Sequence, residues 1–361
     1  MSSFILACTV FLEPPVVERL HKAFAKVHYH PDGVLPKEAL QEADILFTEM
    51  VGVPAQITDL KAEIPNLKLI QLVCAGSEKA LACPAVKNYV AQSDRSITLA
   101  NASGIHVLSI PNYVVASILG AYHQLSRQII FGAVNKRWAT RAEIEITDKP
   151  YYARSPRGRT VGMLGYGALG RESARLLSCL GMEIIAANTS GSATQQTGYI
   201  IDGTGDADGS IPETYYSTKD RTSFEAFLKR CDVLVSSLPN TSATQYIIGP
   251  KELGKPPSKE RFACQHWSGQ PRQVWSSEDL LAELNKPEGE GLFAAHVDVT
   301  DPEPLPEGHP LWSHRKATIT PHLTGDTEGE YDIAVDILIA NVKNLAVGER
   351  LYNAVDFVKG Y

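Results

Sequence analysis

The sequence has little positive charge and no long apolar run. Lysine and arginine together number 34 against 41 aspartate and glutamate residues, a formal net charge of −7. Such an acidic balance offers no basic face to a nucleic-acid backbone, so we expect no nucleic-acid partner. No apolar run approaches the roughly 20 residues of a membrane-spanning helix, so we expect no membrane partner. The apolar residues 4–12 have no preceding positive charge and are followed by Glu13 and two prolines, which favours a first strand over a signal peptide.

Cysteine is sparse, and its spacing suits neither disulfides nor a metal site. The six cysteines are Cys8, Cys74, Cys83, Cys179, Cys231 and Cys264. Most lie in apolar segments, which is typical of reduced core thiols and predicts a cytoplasmic protein. Acidic residues at 202, 206 and 213 have the intervals of a calcium loop, but Ala207 occupies its glycine position and Pro212 interrupts its exiting helix. We therefore predict no metal and interpret residues 190–220 as a solvated loop.

The chain length of 361 residues and the hydrophobic content of 44% suit two medium-sized domains. In the first hundred residues, strand-like segments (3–9, 43–49, 67–74 and 96–99) alternate with helical ones such as 15–24. This alternation predicts a small, mostly parallel sheet with helices on both faces. Within 105–127 we expect one long buried helix that starts near Pro111.

A glycine-rich segment, residues 160–189, organises the middle of the chain. A short apolar strand is followed by Gly165, Gly167 and Gly170 in the spacing G-x-G-x-x-G, then by a helical pattern and a second apolar strand. This strand–turn–helix–strand context is typical of dinucleotide-binding folds. The first glycine permits a tight turn, the second lets the backbone approach a pyrophosphate, and the third lets helix pack on strand. Backbone N–H groups at the helix start, around Ala168 and Leu169, would bind the phosphates.

Together these segments resemble the D-isomer-specific 2-hydroxyacid dehydrogenases, and the resemblance covers nearly the whole chain. Besides the glycine loop, the motifs that carry it are 101–104 (NASG), 237–241 (SLPNT), 297–299 (VDV), 303–306 (EPLP), 309–311 (HPL) and 320–322 (TPH). The long insert with residues 205–206 (GD) and 209–212 (GSIP) resembles the fungal, glyoxylate/hydroxypyruvate reductase-like branch of that family.

The resemblance implies an α/β fold in two parts. A Rossmann-type, doubly wound parallel sheet at residues 109–325 would bind NAD(P). A smaller, flavodoxin-like α/β substrate domain would combine residues 1–108 with 326–361. The cleft between the two would close over the substrate. Members of the family commonly form dimers through the cofactor domain, so we expect a homodimer.

The implied reaction reduces a 2-oxo acid to a D-2-hydroxy acid, and the implied enzyme is an oxidoreductase acting on the CH–OH group of donors. The reaction needs a hydride from nicotinamide, a proton for the carbonyl oxygen and a partner for the substrate carboxylate. A histidine can exchange the proton near neutral pH, and a neighbouring carboxylate can fix its ring. By resemblance these residues are His322 and Glu303. The backbone of Ala75, Gly76 and Ser77, at the end of a predicted strand, would hold the substrate carboxylate.

The resemblance also assigns the remaining cofactor contacts. Asp298 would face the nicotinamide carboxamide. The other lining residues would be Leu238, Pro239, Asn240 and Gly325. At the end of the second strand of the glycine unit, a carboxylate would bond the ribose of NAD, but the chain has Asn188, Thr189 and Ser190. No acid repels a 2′-phosphate there and two hydroxyls can bond one, so NADP is favoured, with NAD as the alternative.

One segment departs from the family pattern. Relatives carry a catalytic arginine in a stretch like V-N-I-G-R-G, whereas residues 264–275 read CQHWSGQPRQVW. Arg272 is the nearest candidate, but it follows Pro271 and lacks the glycine, which makes it a poor match. Permitted codons for 264–275, shifted by one base, can encode V-N-I-G-R-G-N-L-V-K-S-G, with the arginine arising from the Ser268 codon. We therefore hypothesise a frame error at this segment.

Two functions stay open at this point. The first is an NAD(P)H-dependent reductase of glyoxylate, hydroxypyruvate or a bulkier 2-oxo acid, and the sequence does not single out one of them. The second is a dinucleotide-binding protein with impaired catalysis, similar to the corepressor relatives of these dehydrogenases. His322 and Glu303 favour the enzyme, and the missing arginine favours the alternative.

Overall fold

The computed structural model describes residues 2–92, 96–147, 149–238, 244–249, 252, 262–265, 274–357 and 360. The chain forms two compact units. The first unit comprises Met1–His106, Thr197–Tyr199 and Thr327–Tyr361, and the second comprises Val107–Gln196 and Ile200–Asp326. None of the described helices combines the length and the apolar character that crossing a bilayer requires.

The first unit is built on a five-stranded sheet whose strand pairs are all parallel. Its strands are β1 (Ile5–Cys8), β2 (Lys26–Tyr29), β3 (Ile45–Thr48), β4 (Leu69–Leu72) and β5 (Thr98–Ala100). Its helices are α1 (Pro14–Ala23), α2 (Lys37–Glu42), α3 (Leu60–Glu63), α4 (Glu78–Ala82) and α5 (Pro84–Ala91), with the C-terminal helix Glu330–Val347. The spatial order β2-β1-β3-β4-β5 is that of flavodoxin-like sheets.

The second unit is built on a seven-stranded parallel sheet. Its strands are β6 (Thr160–Leu164), β7 (Glu183–Asn188), β8 (Thr214–Ser217), β9 (Val233–Ser236), β10 (Phe262–Gln265), β11 (Ala294–Val297) and β12 (Ala317–Ile319). The helices are α6 (Ile110–Tyr122), α7 (Leu125–Asn135), α8 (Arg141–Ile144), α9 (Ala168–Cys179), α10 (Arg221–Arg230) and α11 (Ser277–Leu284), with a 3₁₀ helix at Pro310–Ser313. The spatial order is β12-β11-β10-β9-β6-β7-β8.

Both faces of the seven-stranded sheet are buried. Along β6, Val161 and Met163 pack into one apolar core and Leu164 into the other. This two-sided burial explains why β6 reads as an unbroken apolar run. The strand order reverses between β6 and β9, which is where open sheets of this class bind their ligands. The predicted doubly wound α/β fold with a second α/β unit is confirmed.

The single helix expected within 105–127 is wrong. Helix α6 starts at Ile110 with Pro111 in its first turn, as predicted, but it ends at Tyr122. Gln124 then adopts a left-handed conformation, φ +48°, and α7 begins after it. The Tyr151 hydroxyl and the Gln128 side-chain amide donate to the His123 carbonyl oxygen at 3.1 and 2.7 Å. Donors from outside α6 therefore satisfy the carbonyl oxygen that the break leaves without a helical partner.

The interpretation of residues 190–220 as a solvated loop is wrong for the second half of the segment, whereas residues 190–205 are exposed or half-buried without a helix or strand. The segment contains β8, and the Asp206 side chain is only 7% exposed. The Tyr166 hydroxyl donates to the Asp206 carboxylate at 2.7 Å, and the N–H groups of Ser210 and Ile211 donate at 3.0 and 3.1 Å. Hydrogen bonds to Asp206 therefore hold this part of the insert to the second unit, together with Ile211 and Tyr215, which pack against an apolar core.

Candidate active site

The glycine loop joins β6 to α9 where the strand order reverses. Gly165 has φ +91°, and a Cβ at this position would lie 2.9 Å from the Ser237 carbonyl oxygen. A Cβ on Gly170 would lie 2.6 Å from the Gly165 carbonyl oxygen. The turn and its contact with the chain after β9 therefore require the first glycine, and close packing of α9 requires the third.

Gly167 differs from Gly165 and Gly170 because no other described residue packs closely against it. A Cβ on Gly167 would meet no atom of the described residues within 4 Å, and its φ of −87° is open to any residue. Gly167 is the N-cap of α9, and none of the described side chains caps this helix. Ala168 and Leu169, both half-buried, begin the helix behind it. Backbone donors with open space in front of them fit the phosphates of a dinucleotide.

The end of β7 presents amide and hydroxyl groups. The Asn188 Oδ1 accepts hydrogen bonds from the Gly191 N–H at 2.7 Å and the Ser190 hydroxyl at 3.1 Å. The Asn188 Nδ2 donates to the Ser192 carbonyl oxygen at 2.9 Å. Asn188 thus shapes the turn, while Thr189 and Ser190 are exposed on it.

His322 and Glu303 are in contact. His322 follows β12 with φ +55°, and its Nδ1 lies 2.5 Å from the Glu303 Oε1. Glu303 stands between Pro302 and Pro304, each of which is preceded by a cis peptide bond. The side chains of His322 and Glu303 are 31% and 22% exposed. Because the carboxylate engages Nδ1, the Nε2 edge of the ring points away from it.

Asp298 is buried and anchors the chain on both sides of His322. The Thr320 hydroxyl donates to its Oδ1 at 2.6 Å, and the Thr324 N–H donates to its Oδ2 at 3.3 Å. The Thr324 hydroxyl also donates to Oδ2. The Tyr113 hydroxyl lies 2.6 Å from the Thr320 hydroxyl oxygen and extends the network to α6. Gly325 follows Thr324 directly.

The chain after β9 meets the glycine loop. The Ser237 hydroxyl donates to the Gly165 carbonyl oxygen at 3.1 Å, and Leu238 packs against an apolar core of the sheet. The predicted site residues that lie outside the described residues are Pro239, Asn240 and Arg272. Strand β10 pairs with both β9 and β11, so the segment 264–275 that departs from the family begins within a central strand.

Ala75, Gly76 and Ser77 lie in the first unit and follow β4. Ala75 and Gly76 are partly exposed, and the Ser77 hydroxyl donates to the Gly360 carbonyl oxygen at 2.8 Å. A Cβ on Gly76 would lie 2.9 Å from a carboxylate oxygen of Glu78. The turn therefore combines two partly exposed residues with an adjacent carboxylate that the sequence analysis did not assign.

Sequence reasoning missed the side chains that support the glycine loop. Tyr166, between the first two glycines, bonds Asp206, and Arg171, next to the third, donates to the carbonyl oxygens of Tyr166 and Asp206 at 3.1 and 2.6 Å. An arginine in the first turn of a helix that packs on a sheet is a signal, because a buried guanidinium needs partners. The identity of those partners in the insert could not be read from the sequence.

The glycine loop at the reversal of a parallel sheet, with a histidine–carboxylate pair in the same unit, defines a dinucleotide-dependent oxidoreductase fold. Comparison with protein families makes the assignment specific. Residues 119–324 match the family of the D-isomer specific 2-hydroxyacid dehydrogenase, NAD binding domain, and the chain belongs to this family. The protein is therefore an NAD(P)-dependent oxidoreductase of the class that acts on CH–OH groups.

Individual relatives agree with this family. The chain is 28% identical over 259 residues to glyoxylate/hydroxypyruvate reductase A of Yersinia enterocolitica, covering 70% of this chain and 69% of the relative. An NADPH-dependent glyoxylate/hydroxypyruvate reductase from Sinorhizobium meliloti, solved with NADP and sulfate, has a TM-score of 0.69 at 22% identity, covering 99% and 100% of the two chains. A D-isomer specific 2-hydroxyacid dehydrogenase from Xanthobacter autotrophicus, solved with NADPH and MES, has a TM-score of 0.70 at 20% identity, covering both chains fully. The two structural likenesses establish the fold.

Proposed function

We propose that this protein reduces a small 2-oxo acid to the D-2-hydroxy acid, with NADPH as the hydride donor. The observation that carries the proposal is the pairing of His322 with Glu303 in the unit that holds the glycine loop. His322 donates a proton from Nε2 to the substrate carbonyl oxygen. Glu303, bonded to Nδ1, keeps the ring in one orientation and balances the charge of its protonated form.

The cofactor assignment is supported by the space around Gly167 and by the hydrogen bonds of Asp298. Gly165, Gly167 and Gly170 would bring the start of α9 against the pyrophosphate. Asp298 accepts from three donors on Thr320 and Thr324. A carboxylate has about four acceptor positions, so the donors among the described residues leave one for the nicotinamide carboxamide.

NADPH is preferred over NADH in this proposal because of the turn after β7. Thr189 and Ser190 offer exposed hydroxyls, and no carboxylate stands at the strand end to repel a 2′-phosphate. The solved relatives from Sinorhizobium meliloti and Xanthobacter autotrophicus contain NADP and NADPH. These observations support NADP as the favoured cofactor, with NAD as the alternative.

Residues 1–108 and 326–361 would bind the substrate, and residues 109–325 the cofactor. The backbone N–H groups at Ala75, Gly76 and Ser77, of which the first two residues are partly exposed, would hold the substrate carboxylate. Glu78 places a negative charge beside this turn, so binding an anion here calls for a cation nearby. We therefore expect substrate affinity to be sensitive to the loss of the family arginine.

Steady-state kinetics test the proposal. Purified protein would be assayed for loss of NADPH or NADH absorbance with glyoxylate, hydroxypyruvate and bulkier 2-oxo acids, and the product would be resolved on a chiral column. We expect turnover with at least one 2-oxo acid, the D enantiomer as product, and a lower KM for NADPH than for NADH. An L product, or no turnover with any 2-oxo acid despite cofactor binding, contradicts the proposal.

The second candidate function, dinucleotide binding with impaired catalysis, is favoured by the sequence of 264–275. A variant in which CQHWSGQPRQVW is replaced by VNIGRGNLVKSG separates the two candidates. If the arginine is what the present chain lacks, the replacement should raise kcat/KM by about 10²-fold or more, since a charged contact to the substrate is restored. Equal and readily measurable turnover in both proteins would rule out the impaired-catalysis alternative. Sequencing of the transcript tests the frame error directly, because codons that cannot yield arginine in the shifted frame exclude it.

We also propose a cytoplasmic homodimer. Helix α7 has no buried side chain. Its exposed apolar residues are Leu125, Ile129, Ile130 and Val134, with Trp138 shortly after it at 95% exposure. A cavity of about 450 Å³ adjoins this helix and is lined by Ile130, Val134, His296 and Thr318 among others. Such a contiguous apolar surface supports burial against a second copy of the chain.

The proposed cytoplasmic location rests on the cysteines. The five cysteines whose side chains are described are free thiols, which supports a reducing compartment.

A further inference from the structure

The insert that follows β7, residues 190–220, is hydrogen-bonded to the glycine loop. Tyr166 lies between Gly165 and Gly167 and is 6% exposed. Its hydroxyl donates to the Asp206 Oδ2 at 2.7 Å, and its carbonyl oxygen accepts from the Arg171 Nε at 3.1 Å. One residue of the phosphate-binding turn is thus fixed at both its side chain and its backbone.

Asp206 is built to accept these bonds as a carboxylate. Burial opposes its ionisation, but hydrogen bonds from Tyr166 and from the N–H groups of Ile211 and Ser210 hold the pKa of Asp206 below its ordinary value. A charged acceptor strengthens the hydrogen bond from the Tyr166 hydroxyl, which has little access to water. The insert therefore contributes a fixed anion to the loop.

Arg171 completes the connection. It is 2% exposed, and its guanidinium donates to the Asp206 carbonyl oxygen at 2.6 Å and to the Thr194 carbonyl oxygen at 2.8 Å. Its charge is thus directed at the insert. Next to it on α9, Glu172 accepts from the Gly205 N–H at 2.7 Å. The first turn of α9 and the glycine loop are consequently bonded to the same stretch of the insert.

We propose that Asp206 and Arg171 are positioning residues for cofactor binding, which act by holding Tyr166 and so fix the glycine loop in its phosphate-binding conformation. This inference rests on the proposed use of NADPH. The loop backbone must meet the pyrophosphate with its N–H groups already oriented, because ordering it on binding would reduce affinity. None of the hydrogen bonds described for this network reaches His322 or Glu303, so we expect the effect on cofactor affinity and not on the chemical step.

The insert also provides a matched control. Tyr215 packs edge-on against Tyr166, with ring centroids 5.7 Å apart. Its hydroxyl donates to the Gly209 carbonyl oxygen at 2.7 Å, within the insert and away from the glycine loop. Tyr166→Phe and Tyr215→Phe therefore remove the same atom from the same aromatic cluster, but only the first removes a bond to the loop.

The test measures the Kd of NADPH by quenching of intrinsic fluorescence, together with kcat at saturating NADPH and the thermal midpoint. Tyr166→Phe should raise the Kd about tenfold, as expected for loss of one buried hydrogen bond to a charged acceptor. Tyr215→Phe should leave the Kd within about twofold of the parent value, even if its thermal midpoint falls by as much as that of Tyr166→Phe. For both variants we expect kcat at saturation to stay close to that of the parent.

Asp206→Asn provides a second route if Tyr166→Phe does not fold. It replaces the charged acceptor of the Tyr166 hydroxyl with a neutral amide, so it should also raise the Kd. Adding Tyr166→Phe to it should then cause less than the tenfold increase seen in the parent background, since both changes act on one bond. A Kd unchanged in Tyr166→Phe and Asp206→Asn, or raised equally in Tyr215→Phe, would overturn the positioning role alone. A parent protein that binds no dinucleotide would overturn this role and the proposed function together. Binding without turnover would remove only the reductase.

Discussion

At the scale of single residues, His322 has an uncommon backbone conformation. Its φ of +55° is in the left-handed region that few residues other than glycine adopt. Thr320 and Thr324, two residues away on each side, are both bonded to the Asp298 carboxylate. These bonds hold the backbone that turns the imidazole onto Glu303. Such support for a strained residue fits a group whose position governs proton transfer.

His322→Asn should reduce kcat by about 10²- to 10⁴-fold, the contribution of a positioned general acid. The Kd of NADPH should stay near that of the parent, because the glycine loop is untouched. His309 offers a matched control, since its Nε2 lies 3.4 Å from Glu278 in a second histidine–carboxylate pair of the same unit. His309→Asn should leave kcat within about twofold. Similar losses in both variants would contradict the role of His322.

His296 predicts a specific dependence of stability on pH. Burial lowers its pKa to about 4, from 6.5 in the unfolded chain. Between these values the unfolded state binds more protons than the folded state, so stability is complete above pH 6.5 and is lost as the pH falls toward 4. From pH 7.5 to pH 5, this residue alone should lower the free energy of unfolding by about 2 kcal/mol.

Urea unfolding at the two pH values, for the parent and for His296→Leu, measures this contribution. Leucine does not titrate, so the parent should lose about 2 kcal/mol more than the variant. The comparison of the two pH differences cancels the direct effect of the substitution on packing. Identical pH differences in both proteins would show that His296 takes up no extra proton on unfolding.

The sequence predicts the conformation and contacts of some residues better than those of others. The geometry of Gly165, Gly167 and Gly170 was predictable because backbone conformation and spacing are local properties. The contact of Arg171 with Asp206 was not, since it joins residues 35 positions apart through an insert whose path depends on tertiary hydrogen bonds. The catalytic assignment of His322 and Glu303 came from resemblance, and the structure adds the distance between them.

At the scale of elements, the roles of two glycines in the turn between β6 and α9 can be distinguished by experiment. Gly170→Ala would place a Cβ 2.6 Å from a backbone oxygen, so α9 must shift and the free energy of unfolding should fall by about 1–3 kcal/mol. In Gly167→Ala the new Cβ meets no described atom within 4 Å, so stability should fall by no more than about 1 kcal/mol, the cost of alanine at a helix N-cap. Its methyl group would instead occupy the space proposed for the pyrophosphate, and the Kd of NADPH should rise.

Thermal unfolding and NADPH titration of both variants check this contrast. Gly170→Ala should show the larger fall in thermal midpoint, and Gly167→Ala should weaken binding without such a fall. Equal stability and parent-like affinity in Gly167→Ala would mean that the open space in front of α9 is not the phosphate site. The pair thus distinguishes a glycine required by packing from one required by a ligand.

Elements were predicted best where both faces are buried. Strands β6, β7 and β9 read as apolar runs because helices cover the sheet on each side. The break between α6 and α7 escaped prediction because apolar residues continue across it, and the partners of the His123 carbonyl oxygen come from other segments. The insert was misjudged for the opposite reason, since its polar residues satisfy one another and Asp206 is buried without an apolar pattern.

At the scale of the whole molecule, two parallel sheets of different strand order account for the alternation of segments along the chain. The chain's last helix, Glu330–Val347, belongs with the first hundred residues in one unit. That return was expected from the resemblance, since hydrophobic periodicity does not say which sheet a helix packs on. The family assignment and the fold agree. Neither accounts for the exposed apolar face of α7 in the second unit, which packs into no core of the described residues.

The exposed face of α7 predicts a self-associating surface. Val134 is 71% exposed on this helix, and Val347, at the end of the C-terminal helix, is 70% exposed. Val134→Glu would bring a charge into an apolar interface, which is costly without a partner, whereas Val347→Glu changes an equally exposed valine elsewhere. Light scattering after gel filtration should give the parent and Val347→Glu twice the 39.3 kDa of one chain. Val134→Glu should shift toward a single chain at low concentration. A parent that elutes as one chain, or a Val134→Glu variant that stays dimeric, would mean that the exposed face of α7 has another role.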